Sequence, residues 1–210
     1  MLETLAPVHD VNEHCIEMLA QIARGDRPDS VTLVLQLKDL LTALTPESRA
    51  RAAGRSLLLT DLQFSNAPWW RSARARPARP VPPPTGCGAF PKAAALQLAR
   101  ATLMVTWHSL RTSAQSAVLL GVQPDVAEII AGLSLSEIEI LVARRFRHVR
   151  PRWEDRPAIW RVLLSAAASA DFRKMRDFNL YSLQLVTGEL RVSTNGREKP
   201  AKRPPLPPST

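Results

Sequence analysis

Cysteine is nearly missing from this chain: only Cys15 and Cys87 occur in 210 residues. They lie far apart and neither has a second cysteine beside it. A disulfide framework and a CxxC metal site are therefore excluded, and two lone thiols suit a reducing compartment. Long apolar runs are missing as well, since none approaches the roughly 20 residues that a membrane helix needs. Met1–Asp10 lacks the basic-then-apolar order of a signal peptide. These absences lead us to expect a cytoplasmic protein with no membrane partner.

Catalytic signatures are absent too. There is no GxSxG, no GxGxxG after a strand and no P-loop. His9, His14, His108 and His148 do not fall at metal-ligand spacing, and the neighbours His14 and Cys15 point in different directions on a helix. Ser134 and Ser136 read as helix-start residues rather than nucleophiles. No constellation of acids and bases suggests a pocket. The expectation is a binding protein, not an enzyme, with no metal and no cofactor.

What the chain does have is base, in an uneven distribution. The formal charge is +9. Residues 71–92 carry Arg71, Arg74, Arg76, Arg79 and Lys92 with no acid, a charge of +5. Residues 191–210 carry Arg191, Arg197, Lys199, Lys202 and Arg203 against Glu198, a charge of +4. Setting these aside from 28 basic and 19 acidic residues leaves 18 of each. The excess thus lies in two segments that also hold eleven of the 18 prolines. Proline lacks a backbone donor and disfavours helix before it. "ARPARPVPPPTGCG" therefore reads as a semi-rigid linker, and "REKPAKRPPLPPST" as a disordered basic tail. Polyproline docking of "KRPPLPPST" into an aromatic groove is the less favoured reading of that tail.

The fold class expected is mainly α. Two small helical blocks, 1–70 and 93–190, flank the Pro/Arg-rich linker 71–92, and the tail covers 191–210. In the first block Val11–Arg24 and Val31–Leu44 look helical, as do Ala93–Leu110 and Ser113–Leu120 in the second. Pro124–Leu133 places Val126, Ile129, Ile130 and Leu133 on one stripe. "SLSE" from Ser134 to Glu137 is a capping box, and Thr45-Pro46 is a cap followed by a first-turn proline. Strand signals are few, with a hairpin around Thr187-Gly188 in Leu183–Thr194 the main one.

Shifting the sequence on itself by 89 residues lays Leu41–Phe64 over Ile130–Trp153. Leu44/Leu133, Arg55/Arg144 and Pro68/Pro157 then coincide. The matched order is a short apolar helix, a hydroxyl cap, a second helix and an extended stretch ending in an aromatic. A tandem duplication accounts for it, and two unrelated helical pairs are the alternative.

The residues that carry this order resemble a known family. "HDVNEHCIEMLAQIAR" (9–24), "LLTALTPESRARAAG" (40–54) and "LLLTDLQF" (57–64) are similar to the flagellar transcriptional regulator FlhD family. "SAVLLGVQPDVAEIIAGLSLSEIEILVARR" (116–145) and "VRPRW" (149–153) resemble it again. About two-thirds of the chain is covered, by short apolar motifs. The resemblance implies a small helical regulator that dimerises and joins a partner subunit to activate flagellar promoters. The cysteine of the family's extended ending is Thr60 in one block and Val149 in the other, so its intersubunit disulfide has no residue here. Nothing here replaces the partner subunit's zinc site. If both blocks are FlhD-like, one chain mimics a dimer, and the tether raises the effective concentration of one block near the other to the millimolar range.

Arg144, Arg145, Arg147, His148, Arg150 and Arg152 are the candidate nucleic-acid-binding residues. Guanidinium forks suit phosphate oxygens, while Phe146 and Val149 should face inward. The competing reading is a solvated face paired with Glu137, Glu139, Glu154 and Asp155. "SAVLLGVQPDVAEIIAGLS" also fits a helix-turn-helix with Gly121 in a left-handed turn. Asp125 and Glu128 would repel phosphates at the start of its second helix, which favours a plain helical hairpin. Trp69 and Trp70 are candidate interface or clamp residues, whereas Trp107, Trp153 and Trp160 read as core. The function expected is a transcriptional regulator that contacts the DNA phosphate backbone and a regulatory partner subunit. It is compatible with a homo-oligomer. The alternative is a helical protein–protein adaptor without a nucleic-acid role.

Overall fold

The computed structural model describes residues 6–25, 32–75, 89–113 and 115–195. Most of the expected linker and the tail beyond residue 195 lie outside the described residues. The protein is mainly helical, as its apolar periodicity predicts. The first half contains α1 (Ala6–Arg24), α2 (Thr32–Thr42), α3 (Pro46–Ala53), a two-residue strand β1 (Thr60–Asp61) and α4 (Ala67–Arg74). The second half contains α5 (Lys92–Thr112), α6 (Ser116–Leu120), α7 (Pro124–Ala131) and α8 (Leu135–Arg145). A 3-10 turn (Phe146–His148), β2 (Arg150–Pro151) and α9 (Pro157–Ala168) complete it. A last helix, α10 (Phe172–Asn195), follows both.

Local chemistry sets the helix starts. Thr45 Oγ1 accepts from the Ser48 amide at 3.2 Å and Pro46 occupies the first turn of α3. At α8 the reciprocal box is complete: the Ser134 amide donates to Glu137 Oε2 at 2.8 Å, and the Glu137 amide donates to Ser134 Oγ at 3.3 Å. Helix α4 is capped by Asn66, whose Oδ1 accepts from the Trp69 amide at 3.0 Å. This helix carries ordered structure to Arg74, into the segment expected to be linker.

α1 buries Val8, Val11, Cys15, Ile16 and Leu19 at helical spacing, and Asn12 among them. Asn12 is fully buried and fully used. Its Nδ2 donates to the carbonyls of Ala53 (3.2 Å) and Leu57 (2.9 Å), and its Oδ1 accepts from the Leu59 amide (2.7 Å). A single polar side chain in the core thus fixes the path from α3 into β1, which is a common use of a buried, satisfied amide.

The hairpin expected around Thr187-Gly188 is not formed. Leu183–Thr194 is part of α10, and Thr187 Oγ1 donates to the Leu183 carbonyl at 2.9 Å, one turn back. Leu183, Val186 and Leu190 fit a helical stripe as well as strand alternation. Packing of Met175, Phe178 and Val186 into the core decides for the helix. Gly188 has open space around it, so no close approach requires it.

β1 and β2 pair antiparallel, with Thr60 opposite Pro151 and Asp61 opposite Arg150. Asp61 and Arg150 are also 89 residues apart, the shift that relates the two halves in sequence. The ladder therefore centres on an approximate two-fold axis, as in an isologous contact between identical subunits. Beyond the strands the correspondence moves by one residue, to 90, for the left-handed residues and the tryptophans, while the carbonyls those tryptophans bond to remain 89 apart. The left-handed Gln63 (φ 57°) matches the left-handed Trp153 (φ 56°). Trp70 Nε1 donates to the Gln63 carbonyl at 3.0 Å, and Trp160 Nε1 to the Arg152 carbonyl at 2.7 Å.

The helix after each strand then crosses over. α4 packs on α7 and α8 of the second half, while α9 packs on α2 and α3 of the first, and α1 meets α5 between them. Arg51 Nε reaches the Ala167 carbonyl at 2.8 Å and Arg161 Nη2 the Gln36 carbonyl at 2.8 Å. Buried apolar residues from both halves form one continuous cluster. The segments 1–70 and 93–190 are thus repeated in element order, but they do not hold separate cores.

This exchange makes a prediction. A specific protease site placed within residues 79–84 and cut should leave the two fragments co-eluting in native size-exclusion chromatography. They should part only in denaturant. Separate elution of folded fragments would show that each half closes its own core.

Candidate nucleic-acid interface

Arg144 and Arg145 occupy the last turn of α8, where cations complement the negative end of the helix dipole. The 3-10 turn that follows presents Arg147 outward and sets His148 half-buried. Val149 is buried and Phe146 packs against the core, the inward orientation their spacing predicts. Arg144 and Arg147 are exposed and carry no carboxylate partner among the described residues.

The other four candidates are engaged within the molecule. The Arg145 guanidinium lies 5.6 Å from the centroid of Trp69, and the His148 ring meets the same indole edge-on at 5.0 Å. Arg150 Nη1 pairs with Glu154 Oε1 at 2.5 Å. Arg152 differs most from expectation. It is only 5% exposed, and its Nη2 donates to the Leu120 carbonyl at 2.7 Å. A side chain recessed in this way cannot reach the phosphate backbone of a duplex on the surface, so Arg152 leaves the interface set.

The acids proposed as partners for this stretch are spoken for by other bases. Glu137 faces Arg74 at 3.6 Å, Glu139 pairs with Arg100 at 2.5 Å, and Asp155 lies 4.0 Å from Arg156. Only Glu154 bonds to one of the six. Such exposed pairs contribute little stability each, about 0–1 kcal/mol.

Trp69 and Trp70 divide their roles. Trp70 is buried, stacked on Phe64 with centroids 6.3 Å apart, and belongs to the core rather than to an external interface. Trp69 is half-buried and clamps α4 of the first half to Arg145 and His148 of the second. Trp153 and Trp160 are buried as expected. Trp107 is half-buried, with its Nε1 donating to the Leu133 carbonyl at 2.8 Å and Arg111 lying 4.8 Å from its ring.

Gly121 adopts the left-handed conformation (φ 65°), as expected for the turn before α7. Its second reason for being glycine was not legible in sequence. A Cβ there would lie 1.8 Å from Arg152 Nη1. Asp125, at the start of α7, pairs with Arg71 at 2.7 Å, so the first turn of this helix is tied to α4.

Sequence reading missed Arg49, Arg51 and Arg55. Arg49 pairs with Glu17 and lies 3.5 Å from Glu13, and Arg55 Nη1 donates to Asn179 Oδ1 at 3.1 Å. Arg55 and Arg144, identical under the 89-residue shift, thus do different jobs, one half-buried under α10 and one exposed. Burial pushes the Cys15 thiol well above its ordinary range. Among the described residues no group of three or more His, Cys, Asp or Glu side chains is placed to hold a metal ion. No described helix is long and apolar enough to cross a membrane. Compared with protein-family models, curated proteins and solved structures, the chain matches none.

Two predictions follow from this geometry. Gly121→Ala should destabilise the fold by more than about 2 kcal/mol in urea unfolding, since the left-handed backbone alone costs a non-glycine residue roughly 1–2 kcal/mol and Arg152 must also move. An unchanged midpoint would show that Arg152 can leave its seat freely. The second concerns His148, whose pKa is held below its ordinary value by burial first, then by Arg145 and Arg150. Between about pH 6.5 and that lower value the unfolded chain binds the proton more readily. Stability should therefore fall as the pH drops through this window and level off below it. His148→Gln should flatten the slope in pH-dependent thermal melts.

Proposed function

We propose that the chain is a transcriptional regulator resembling the flagellar activator subunit FlhD, acting with a partner subunit and contacting the DNA backbone. The observation that carries this reading is the exposed cationic end of α8. Arg144 and Arg147 stand free of carboxylates among the described residues, in a chain whose charge outside the two basic proline-rich segments is balanced. Phosphate contacts of this kind position a protein on the duplex without reading sequence. On this reading the neutral body and the acidic start of α7 leave base recognition to the partner subunit.

The approximate two-fold axis supports the same reading. FlhD-like proteins dimerise, and here one chain supplies two similarly ordered halves. Thr60 and Val149 stand where the family's cysteine is expected, and both are buried at the strand pair. Thr60 Oγ1 bonds to Thr102 Oγ1 at 3.0 Å, and the ladder and crossed helices hold the halves without a disulfide. A second reading, a helical adaptor, rests on exposed apolar side chains of α10: Phe172 is 83% exposed, and Leu180 and Tyr181 are also exposed.

Titration of duplex DNA or heparin across a salt series tests the choice. With residues 196–210 deleted, binding should persist. Arg144→Ala with Arg147→Ala should lower the log–log salt slope by about 2, since each neutralised phosphate adds roughly 0.9. An unchanged slope removes this surface from the interface. Complete loss of binding on deletion of the tail alone favours the adaptor.

A further inference from the structure

A cavity of about 310 Å³ opens where the two strand exits meet α10. Its lining includes Arg152, whose guanidinium is almost fully buried yet makes one hydrogen bond, to the Leu120 carbonyl. Arg152 Nε meets no acceptor among the described residues. A guanidinium offers five N–H donors, and a buried cation is stable only when they are answered.

The carboxylates that act on Arg152 through space are Asp61 and Glu189, and both have other hydrogen-bonding duties. Asp61 Oδ2 accepts from the Gln63 amide at 3.1 Å and its Oδ1 from the Phe64 amide at 3.2 Å. Glu189 Oε1 accepts from Trp153 Nε1 at 2.9 Å and faces Arg156 Nη1 at 3.5 Å. The left-handed residues Gln63, Gly121 and Trp153 all lie on this wall. Sparsely populated backbone conformations gathered at one cavity are a feature of binding sites.

The charge of the lining narrows the ligand. Arg150, Arg152 and Arg156 are opposed by Asp61, Glu154, Asp155 and Glu189, a surplus of one negative charge. Arg150 is matched by Glu154 and Arg156 most closely by Glu189 at 3.5 Å, while Asp155, 77% exposed, lies at the 4.0 Å edge of pairing with Arg156 and keeps room for a second cation. An oxyanion is drawn to Arg152 but repelled by the acids around it. A ligand that brings a cation along with its carboxylate satisfies both. We infer that the cavity binds a small zwitterion of the free amino-acid type, its carboxylate received by Arg152 and its ammonium by Asp61 and Asp155. The site lies on the seam between the halves, so its occupant ties them together, and the inference stands independently of DNA binding.

The test uses the full-length protein with 15N-labelled tryptophan, and the Trp153 indole resonance assigned by Trp153→Phe. Each of the twenty L-amino acids is titrated singly, followed by the decarboxylated and deaminated analogues of the best binder. At least one amino acid should shift the Trp153 signal saturably. Both analogues should bind about tenfold or more weakly, the cost of losing one charge-assisted contact. Asp155→Asn changes an exposed side chain and should weaken the amino acid by about tenfold while sparing the deaminated acid. Arg152→Met should abolish binding, and if that variant does not fold the Asp155 variant decides alone. The inference is overturned if no amino acid shifts Trp153 or if the deaminated acid binds as tightly as its parent. Unchanged amino-acid affinity in Asp155→Asn overturns it equally.

Discussion

The structure depends on an exchange of helices about a very short ladder. Two residues of β1 and two of β2 are too few to hold a sheet by their hydrogen bonds alone. What holds them is the burial that follows: α4 closes the second half and α9 the first, each anchored by a tryptophan. Trp70 and Trp160 seat their rings in the core and give their indole N–H groups to the carbonyls of the strand exits. A buried tryptophan of this kind is worth about 3–5 kcal/mol when truncated to alanine. Each half buries apolar faces against the other, so the two halves of the sequence share one core.

The same exchange explains why the arginine stretch splits. The chain from Arg144 to Arg152 runs from the exposed end of a helix, through a tight turn, into the strand at the centre of the molecule. Its charged residues therefore pass from solvent to interior over eight positions. Arg144 and Arg147 remain outside, Arg145 and His148 lie against Trp69, Arg150 sits at the edge beside Glu154, and Arg152 is enclosed. The seat of Arg152 leaves no room for a Cβ at Gly121, and Asp61 and Glu189 lie near enough to act on its charge. An internal cation and a small cavity arise together at the approximate axis.

For function, the two readings make use of different surfaces. The regulator reading uses the cationic end of α8, and the adaptor reading uses exposed apolar side chains on α10. These faces belong to separate elements, so each can be altered without disturbing the other. The cavity at the seam belongs to neither face, and a ligand there would act on the junction between the halves.

Much of the fold was legible from local chemistry. Apolar spacing marked α1, α2, α7 and α8, hydroxyl caps at Thr45 and Ser134 marked where helices begin, and Gly121 marked a left-handed turn. Leu183–Thr194 was misread because its leucines and valines satisfy two periodicities at once, and only contact with the core separates them. The sequence by itself determined the helical class and the balance of charge outside the proline-rich segments. These follow from side-chain chemistry within a few residues of one another. Tertiary structure alone decided that α4 and α9 change places, that Trp70 is core while Trp69 is a clamp, and that Arg152 is internal while Arg144 is free. Each of those outcomes depends on which distant surface removes a side chain from water, and no local pattern carries that information.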